Sequence, residues 1–209
     1  MSTKQDVAEL FLKCFENNSS SLITRERVRE CYPNAEKWTF FMLEEEDSLL
    51  KSTLKELVTL VPEFNDTAIR INKNKPIDIA LEKNNTYLLS IEVENKASEI
   101  KKEIEDLYKT SKNGHLKLMV LITYDSNETI RKTNRVGQWR YNFLNELSHY
   151  FQLNGGINCP FLLILGNLPI DMDTLNDNNR EFHYVNWWCF LKRPDVEKWE
   201  EKHFISPKH

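Results

Sequence analysis

The chain has 209 residues, 40% of them hydrophobic and 29% charged, with a formal net charge of −4. This is enough apolar material for one large domain with a real core, and no apolar run approaches the roughly 20 residues that cross a bilayer. The mild acidity argues against a non-specific nucleic-acid coat, which is basic, though not against a DNA enzyme with a local basic stripe; with only 5 Gly and neither G-x-x-x-x-G-K-[ST] nor G-x-G-x-x-G, a P-loop or dinucleotide site has no support.

In chain order, the opening stretch MSTKQDVAELF is polar and then amphipathic, unlike a signal peptide. Val7, Leu10, Phe11 and Phe15 continue it at helical spacing. TRERVRECYP suits a short helix capped by Thr24 and stopped before Pro33. EKWTFFMLEEEDSLLKSTLKELVTLV predicts a long helix that ends before Pro62, with a break near Asp47–Ser48. TAIRIN, PIDIALEK and TYLLSIEVEN predict three strands, ASEIKKEIEDLYKTS a helix, HLKLMVLITY a strand, RVGQWRYNFLNELSHYFQL an amphipathic helix and PFLLILGNL a buried strand. After the polar loop DMDTLNDNN, EFHYVNWWCFL predicts a strand, and PDVEKWEEKHF a final helix opened by Pro194. The expectation is a single α/β domain over residues 1–209: a helical N-terminal part (1–62), a core (63–168) and a C-terminal extension (169–209). Cys14, Cys31, Cys159 and Cys189 form no C-x-x-C pair and read as buried thiols of a reducing cytoplasm rather than a disulfide or zinc framework. The five His are equally dispersed.

The second and third strands carry the chemistry. Side chains alternate along a strand, so Ile77, Ile79 and Leu81 share one face, and Leu89, Ile91 and Val93 share one face of the next. Ser90, Glu92, Glu94 and Lys96 lie opposite. Matching the apolar faces pairs Ile77 with Val93, Ile79 with Ile91 and Leu81 with Leu89, because a one-residue slip would bury the charges. It calls for an odd-length turn around Asn84-Asn85-Thr86. The same register sets Asp78 across from Glu92, with Cβ atoms on the order of 5 Å apart, where like charges repel. Glu94 is diagonal to Asp78, and Lys96 continues the row. Oxygen donors on adjacent strands suit Mg²⁺, with Mn²⁺ as a substitute, and such a cation supports phosphate-ester hydrolysis.

These residues resemble the PD-(D/E)XK nuclease superfamily. Pro76-Ile77-Asp78 stands for its "PD" with one inserted residue, Glu94-Asn95-Lys96 for its "(D/E)xK", and the order helix, three strands, helix, strand is similar to that family's core. A closer resemblance, over roughly residues 75–168, is to the BamHI-like type II restriction endonucleases, which carry P-I-D followed by E-x-E; here PIDI, IEVE, KNGHLKLMVLI, TNRVGQW and PFLLILGN are similar. The resemblance implies a restriction-endonuclease-like mixed central sheet flanked by helices, with a helical N-terminal third. On the generic alignment Glu94 is the ligand and Lys96 the catalytic lysine. On the BamHI-like alignment Glu92 and Glu94 are the acid pair and Lys96 is peripheral. Asp78 and Glu94 are common to both, and whether Glu94 or Lys96 is the general base stays open. The family also draws an acid from the helix or loop before the first strand; Glu46, Glu56 and Glu63 are candidates, with Glu63 preferred as nearest the sheet.

IRKTNRVGQWRY gathers Arg131, Lys132, Arg135 and Arg140 around Trp139 and Tyr141 at the start of a helix, where phosphate contacts are favoured and Arg can read guanine. Thr133-Asn134-Arg135-Val136 falls on a segment that touches guanine in the BamHI-like family, with Asn134 in place of an aspartate. Ser98, Lys101 and Lys102 fall near a serine and an arginine that relatives use on DNA. The reading that follows is a cytoplasmic, Mg²⁺-dependent type II restriction endonuclease on double-stranded DNA. It would act as a homodimer, since cutting both strands of a palindrome takes two acid clusters related by a two-fold axis, with a cognate DNA methyltransferase encoded nearby. A repair or junction-resolving nuclease of the same fold, and a non-catalytic DNA- or protein-binding module, are the alternatives. Trp187, Trp188 and Trp199 read as core or interface.

Overall fold

A computed structural model of the chain describes residues 6–24, 27, 40–71, 77–94, 100–112, 114–125, 136–167 and 185–206. Helix α1 (Val7–Leu22) begins where the Asp6 carboxylate accepts the Ala8 N–H at 2.9 Å, which satisfies a donor with no intrahelical partner. Its buried residues Ala8, Phe11, Leu12, Cys14 and Phe15 form one stripe. After a π-helical turn at Phe40–Glu44, Ser48 caps helix α2 (Leu49–Leu60) by accepting the Lys51 N–H. The break expected at Asp47–Ser48 is therefore real. Pro62, which has no N–H to give, starts a separate short 3-10 turn.

Seven strands follow in one sheet whose spatial order is the chain order: β1 (Ala68–Ile71), β2 (Ile79–Lys83), β3 (Thr86–Glu94), β4 (Leu118–Asp125), β5 (Phe161–Asn167), β6 (Val185–Lys192) and β7 (Glu200–Ser206). β1, β2 and β3 are antiparallel, β3, β4 and β5 parallel, and β5, β6 and β7 antiparallel. Helices α3 (Ile100–Ser111) and α4 (Val136–Leu153) make the two parallel crossovers. Both crossovers step the same way across the sheet, so a common right hand puts both helices on one face. There Ile104, Leu107, Leu144 and Phe151 pack on Met119, Leu121, Phe161 and Leu163. On the other face α1 and α2 pack on Ile79, Ile91, Val120, Ile164 and Trp187, with the Phe15 ring edge-on to Trp187 at 4.9 Å. The protein is thus an α/β fold with a mixed sheet between two helical layers. No described helix is long and apolar enough to cross a membrane.

The C-terminal end corrects one expectation. The predicted helix over PDVEKWEEKHF is a turn followed by β7, which pairs antiparallel with β6 through Trp188↔His203 and Phe190↔Glu201. Lys202 and Phe204 alternate with Glu201 and His203, and the open edge of β6 supplies backbone partners that a charged helix would not use. Residues 185–206 therefore extend the same sheet as 63–168. Arg193 and Lys202 tie this edge to α1: Arg193 bonds Asp6 and Glu200, and Lys202 bonds Glu9. Trp187 is fully buried, Trp188 lies against His203 and Trp199 donates to Ser148 Oγ.

The central hairpin keeps the expected register at Ile79↔Ile91 and Leu81↔Leu89, then shifts by one between Leu81 and Glu82. Lys83 pairs with Thr86 across a two-residue turn, with Asn84 and Asn85 at φ 51° and 59°. The odd-length turn is in fact a two-residue turn plus a bulge at Leu88. The bulge absorbs the odd residue, so the facing of Ile79 and Ile91 is preserved. Both turn residues have positive φ, the type I′ geometry for which Asn-Gly is the favoured pair. Asn85→Gly should raise unfolding stability by about 0.5 kcal/mol, read from the denaturation midpoint; a lower midpoint would contradict this turn.

Candidate metal and catalytic site

Asp78 lies one residue before β2, and Glu92 points from β3 into the layer beneath α3. The two acids lock the start of the hairpin reciprocally. The Asp78 N–H donates to Glu92 Oε2 at 3.3 Å, and the Val93 N–H donates to Asp78 Oδ2 at 2.9 Å. Glu92 is 2% exposed, while Asp78 and Glu94 are half-buried. Strand pairing starts only at Ile79↔Ile91. Ile77, expected on the Ile79 face opposite Val93, packs instead with Ala80 and Ile100 on the α3 face, and the two carboxyls meet at this irregular start of the hairpin.

Their electrostatics follow from burial. Desolvation, then the negative charges of Asp78 and Glu103, push the Glu92 carboxyl up to about 10. Burial also raises Asp78, opposed by the Val93 N–H and by hydrogen bonding with Glu92. Around neutral pH the pair holds a proton, on Glu92. Glu92 Oε1 has no hydrogen-bond partner, nor have two buried hydroxyl oxygens nearby, Ser90 Oγ and Thr123 Oγ1. Ser90 shares the Glu92 face of β3, and Thr123 sits beside Glu94 in the parallel register. Each orphaned buried polar atom carries a desolvation cost of about 1–3 kcal/mol. Glu92, Glu94 and Thr123 lie toward the carboxyl end of the parallel pairing, where open α/β sheets bind ligands, and Ser90 toward its start.

The sequence reading missed Glu103. Ile100, Ile104, Leu107 and Tyr108 make the buried stripe of α3, and Glu103 stands within that stripe, its side chain 12% exposed. Burial, with Asp78 and Glu94 adding to it, raises its carboxyl. An acid at an apolar helical position was the available signal. Lys102 donates to Glu103 Oε1 at 3.3 Å. The Tyr108 hydroxyl, between Asn154 O and Gly156 O, holds α3 to the turn after α4.

The chain gives no significant match to any known family model, curated protein or solved structure.

The other expected positions are dispersed. Glu63 forms an ion pair with Lys117 at 3.6 Å. The Lys117 N–H bonds Leu88 O, so Glu63 is near the start of β3 whereas the acids are at its end. Glu56 accepts from the side-chain amides of Asn17 and Asn18, and Glu46 is exposed in a turn. Lys101 and Lys102 are exposed on α3. Lys96, Ser98, Arg131, Lys132, Asn134 and Arg135 lie outside the described residues, as does Cys31; Arg140 lies within α4, and its side chain is likewise outside the description. Cys14, Cys159 and Cys189 are buried free thiols; burial pushes Cys14 and Cys159 up to about 12, which leaves them inert near neutrality.

Among the described residues no three His, Cys, Asp or Glu side chains stand close enough to form a ready-made metal cage. The donor chemistry nonetheless fits a hard divalent cation. It offers carboxyl oxygens from the start of the hairpin and the end of β3, one of them buried without a hydrogen-bond partner.

Proposed function

We propose that the protein is a divalent-metal-dependent endonuclease that hydrolyses phosphodiester bonds in double-stranded DNA, of the type II restriction class and acting as a homodimer. The observation that carries the reading is the buried Asp78–Glu92 pair with Glu92 Oε1 unpartnered, at the carboxyl end of β3 and beside Glu94. A buried carboxyl oxygen without a partner, beside a second acid, supports a ligand-binding role for the pair in addition to its place in the hairpin.

Asp78, Glu92 and Glu94 would hold the cation. When bound, Mg²⁺ supplies positive charge against the scissile phosphate and acidifies water. Asp78, whose Oδ2 accepts the Val93 N–H, is held in place and would need little reorganisation. Glu94, half-buried at the end of β3, or Lys96 as neutral amine, takes the proton of the attacking water. The water oxygen bonds to phosphorus, the bond to the leaving sugar oxygen breaks, and that oxygen takes a proton from solvent. Arg131, Lys132, Arg135 and Arg140 are the proposed DNA contacts, and Arg135 the proposed base reader.

Incubating plasmid DNA with the purified chain and Mg²⁺ or Mn²⁺ tests this. Discrete fragments that vanish with chelator are expected. Nicking confined to branched DNA would move the protein to structure-selective repair, and no cleavage with any divalent metal would leave only a binding module. Single-turnover cleavage of a short duplex then separates the two alignments. Loss of activity in Glu92→Gln with activity kept in Lys96→Met supports Asp78–Glu92–Glu94, and the reverse pattern assigns the site to Asp78, Glu94 and Lys96.

A further inference from the structure

We propose that the cleft between the tip of the β2–β3 hairpin and the end of α3 binds a free nucleoside monophosphate. The site is separate from the acids and needs no metal. Tyr87, which lines it, and Glu92 stand five residues apart on β3, roughly 17 Å along an extended strand.

The local fold builds the cleft. Asn84 and Asn85 turn the hairpin at positive φ. Helix α3 ends at Ser111, whose carbonyl accepts the Gly114 N–H at 3.1 Å, and Gly114, at φ 71°, turns the chain back toward the sheet. The Lys117 N–H then bonds Leu88 O at 2.8 Å and fixes the two segments side by side. Between them lies a hollow of about 740 Å³. Its floor is apolar: Leu116 is buried, and Tyr87 partly buried, against the core beneath α3. Its walls are polar, with the side chains of Asn85 and Thr86 on the hairpin and of Lys109 and His115 around the end of α3.

Size and chemistry select the ligand. The volume falls within the range of small-molecule sites, about 300–1,000 Å³. Among the described residues no carboxylate lines the cleft beside Lys109 and His115. In a chain of net charge −4, this local excess of basic groups favours an anion. Lys109 meets Asp106 at 3.2 Å, but the lysine is 68% exposed, so the pair is weak and its ammonium is free to turn to a phosphate. Phosphate alone would leave the floor uncovered. A flat base covers it by stacking on the Tyr87 ring, and sugar oxygens meet the Asn85 and Thr86 side chains. A nucleoside monophosphate supplies all three parts. A duplex would have to unstack a base to reach that floor.

The test is isothermal titration of the full-length protein, in chelator, with deoxyadenosine monophosphate, and with deoxyadenosine and inorganic phosphate as its separate parts. The nucleotide should bind more tightly than either part. Lys109→Ala and His115→Ala, both at exposed positions, should each weaken it about 10-fold or more with the melting temperature kept. Tyr87→Leu should weaken the nucleotide and leave phosphate binding unchanged. Lys55→Ala, exposed on α2, should bind as wild type does. Absence of nucleotide binding by wild type overturns the site, and so does unchanged affinity in both Lys109→Ala and His115→Ala. A short duplex that binds through Lys109 where the nucleotide does not would give the cleft to DNA and overturn the free-nucleotide assignment. None of these outcomes bears on the metal-dependent reading, which plasmid cleavage tests separately.

Discussion

Replacing Asp78 with asparagine should abolish cleavage while leaving the fold in place. The Val93 N–H needs only an acceptor oxygen at 2.9 Å, and the asparagine carbonyl provides one of the same shape. What is lost is the formal charge next to Glu92. In the proposed mechanism that charge is the fixed anchor of the cation, so turnover should fall by about 10²–10³-fold, the size of effect seen when a preorganised electrostatic element is deleted. Single-turnover cleavage gives the rate. The melting temperature should stay level, since the Val93 N–H keeps its acceptor. An Asp78→Asn protein that cuts at the wild-type rate would remove the pair from the chemistry.

A second large effect is expected on stability, with a distinctive pH dependence. The Glu92 carboxyl ionises near 4.5 when exposed and at about 10 in the folded chain. Between those values the folded chain holds a proton that the unfolded chain has released. Stability from this group is therefore full below the lower value and lost progressively as pH rises through the upper one. Glu92→Gln removes the ionisation and keeps the shape. In metal-free buffer at about pH 8 it should stabilise the protein by roughly 1–3 kcal/mol, a rise of about 2–12 °C in a chain of this size. The advantage should shrink toward about pH 5. Mn²⁺ should raise the melting temperature of wild type more at high pH than at low pH, because its ligands must lose their protons, and should do little for the variant. A Glu92→Gln protein less stable than wild type in metal-free buffer at the higher pH would mean that Glu92 is a structural acid.

Both predictions start from a register that the alternation of Ile79, Leu81, Leu89 and Ile91 made legible. The apolar set selected the pairing of Ile79 with Ile91, but the expectation that this keeps the acids out of the interior failed: Glu92 is 2% exposed, covered by a helical layer that no reading of the hairpin alone contains. The bulge at Leu88 was harder to see. Its trace is the pair Leu88-Leu89, two apolar residues in succession where strict alternation allows one, and the favourable geometry of the two-residue Asn84-Asn85 turn decided it. The last strand was misread because Glu200, Glu201 and Lys202 have little intrinsic preference for a sheet. Their state is set by the edge of β6, a partner that no local window contains. The half-buried acid Glu103 was overlooked, although its place among Ile100, Ile104 and Leu107 was visible in the periodicity of α3.

The sheet has its strands in chain order, and this bears on how the polypeptide can assemble during synthesis. Each new strand finds its neighbour already in place, so a chain emerging from the ribosome can add β2 to β1, β3 to β2 and so on without waiting for distant sequence, the condition for fast folding. The first helix is the exception. α1 can dock early on α2, but the Phe15 ring meets Trp187 only once β6 exists. The Arg193 and Lys202 links to Asp6 and Glu9 span 187 and 193 residues. Until then one flank of α1 carries exposed aromatic surface, a chaperone substrate by its chemistry. Nascent chains stalled before Val185 should therefore be cut by protease in α1 while β2 and β3 already resist, and equal resistance of both segments would refute this order of assembly.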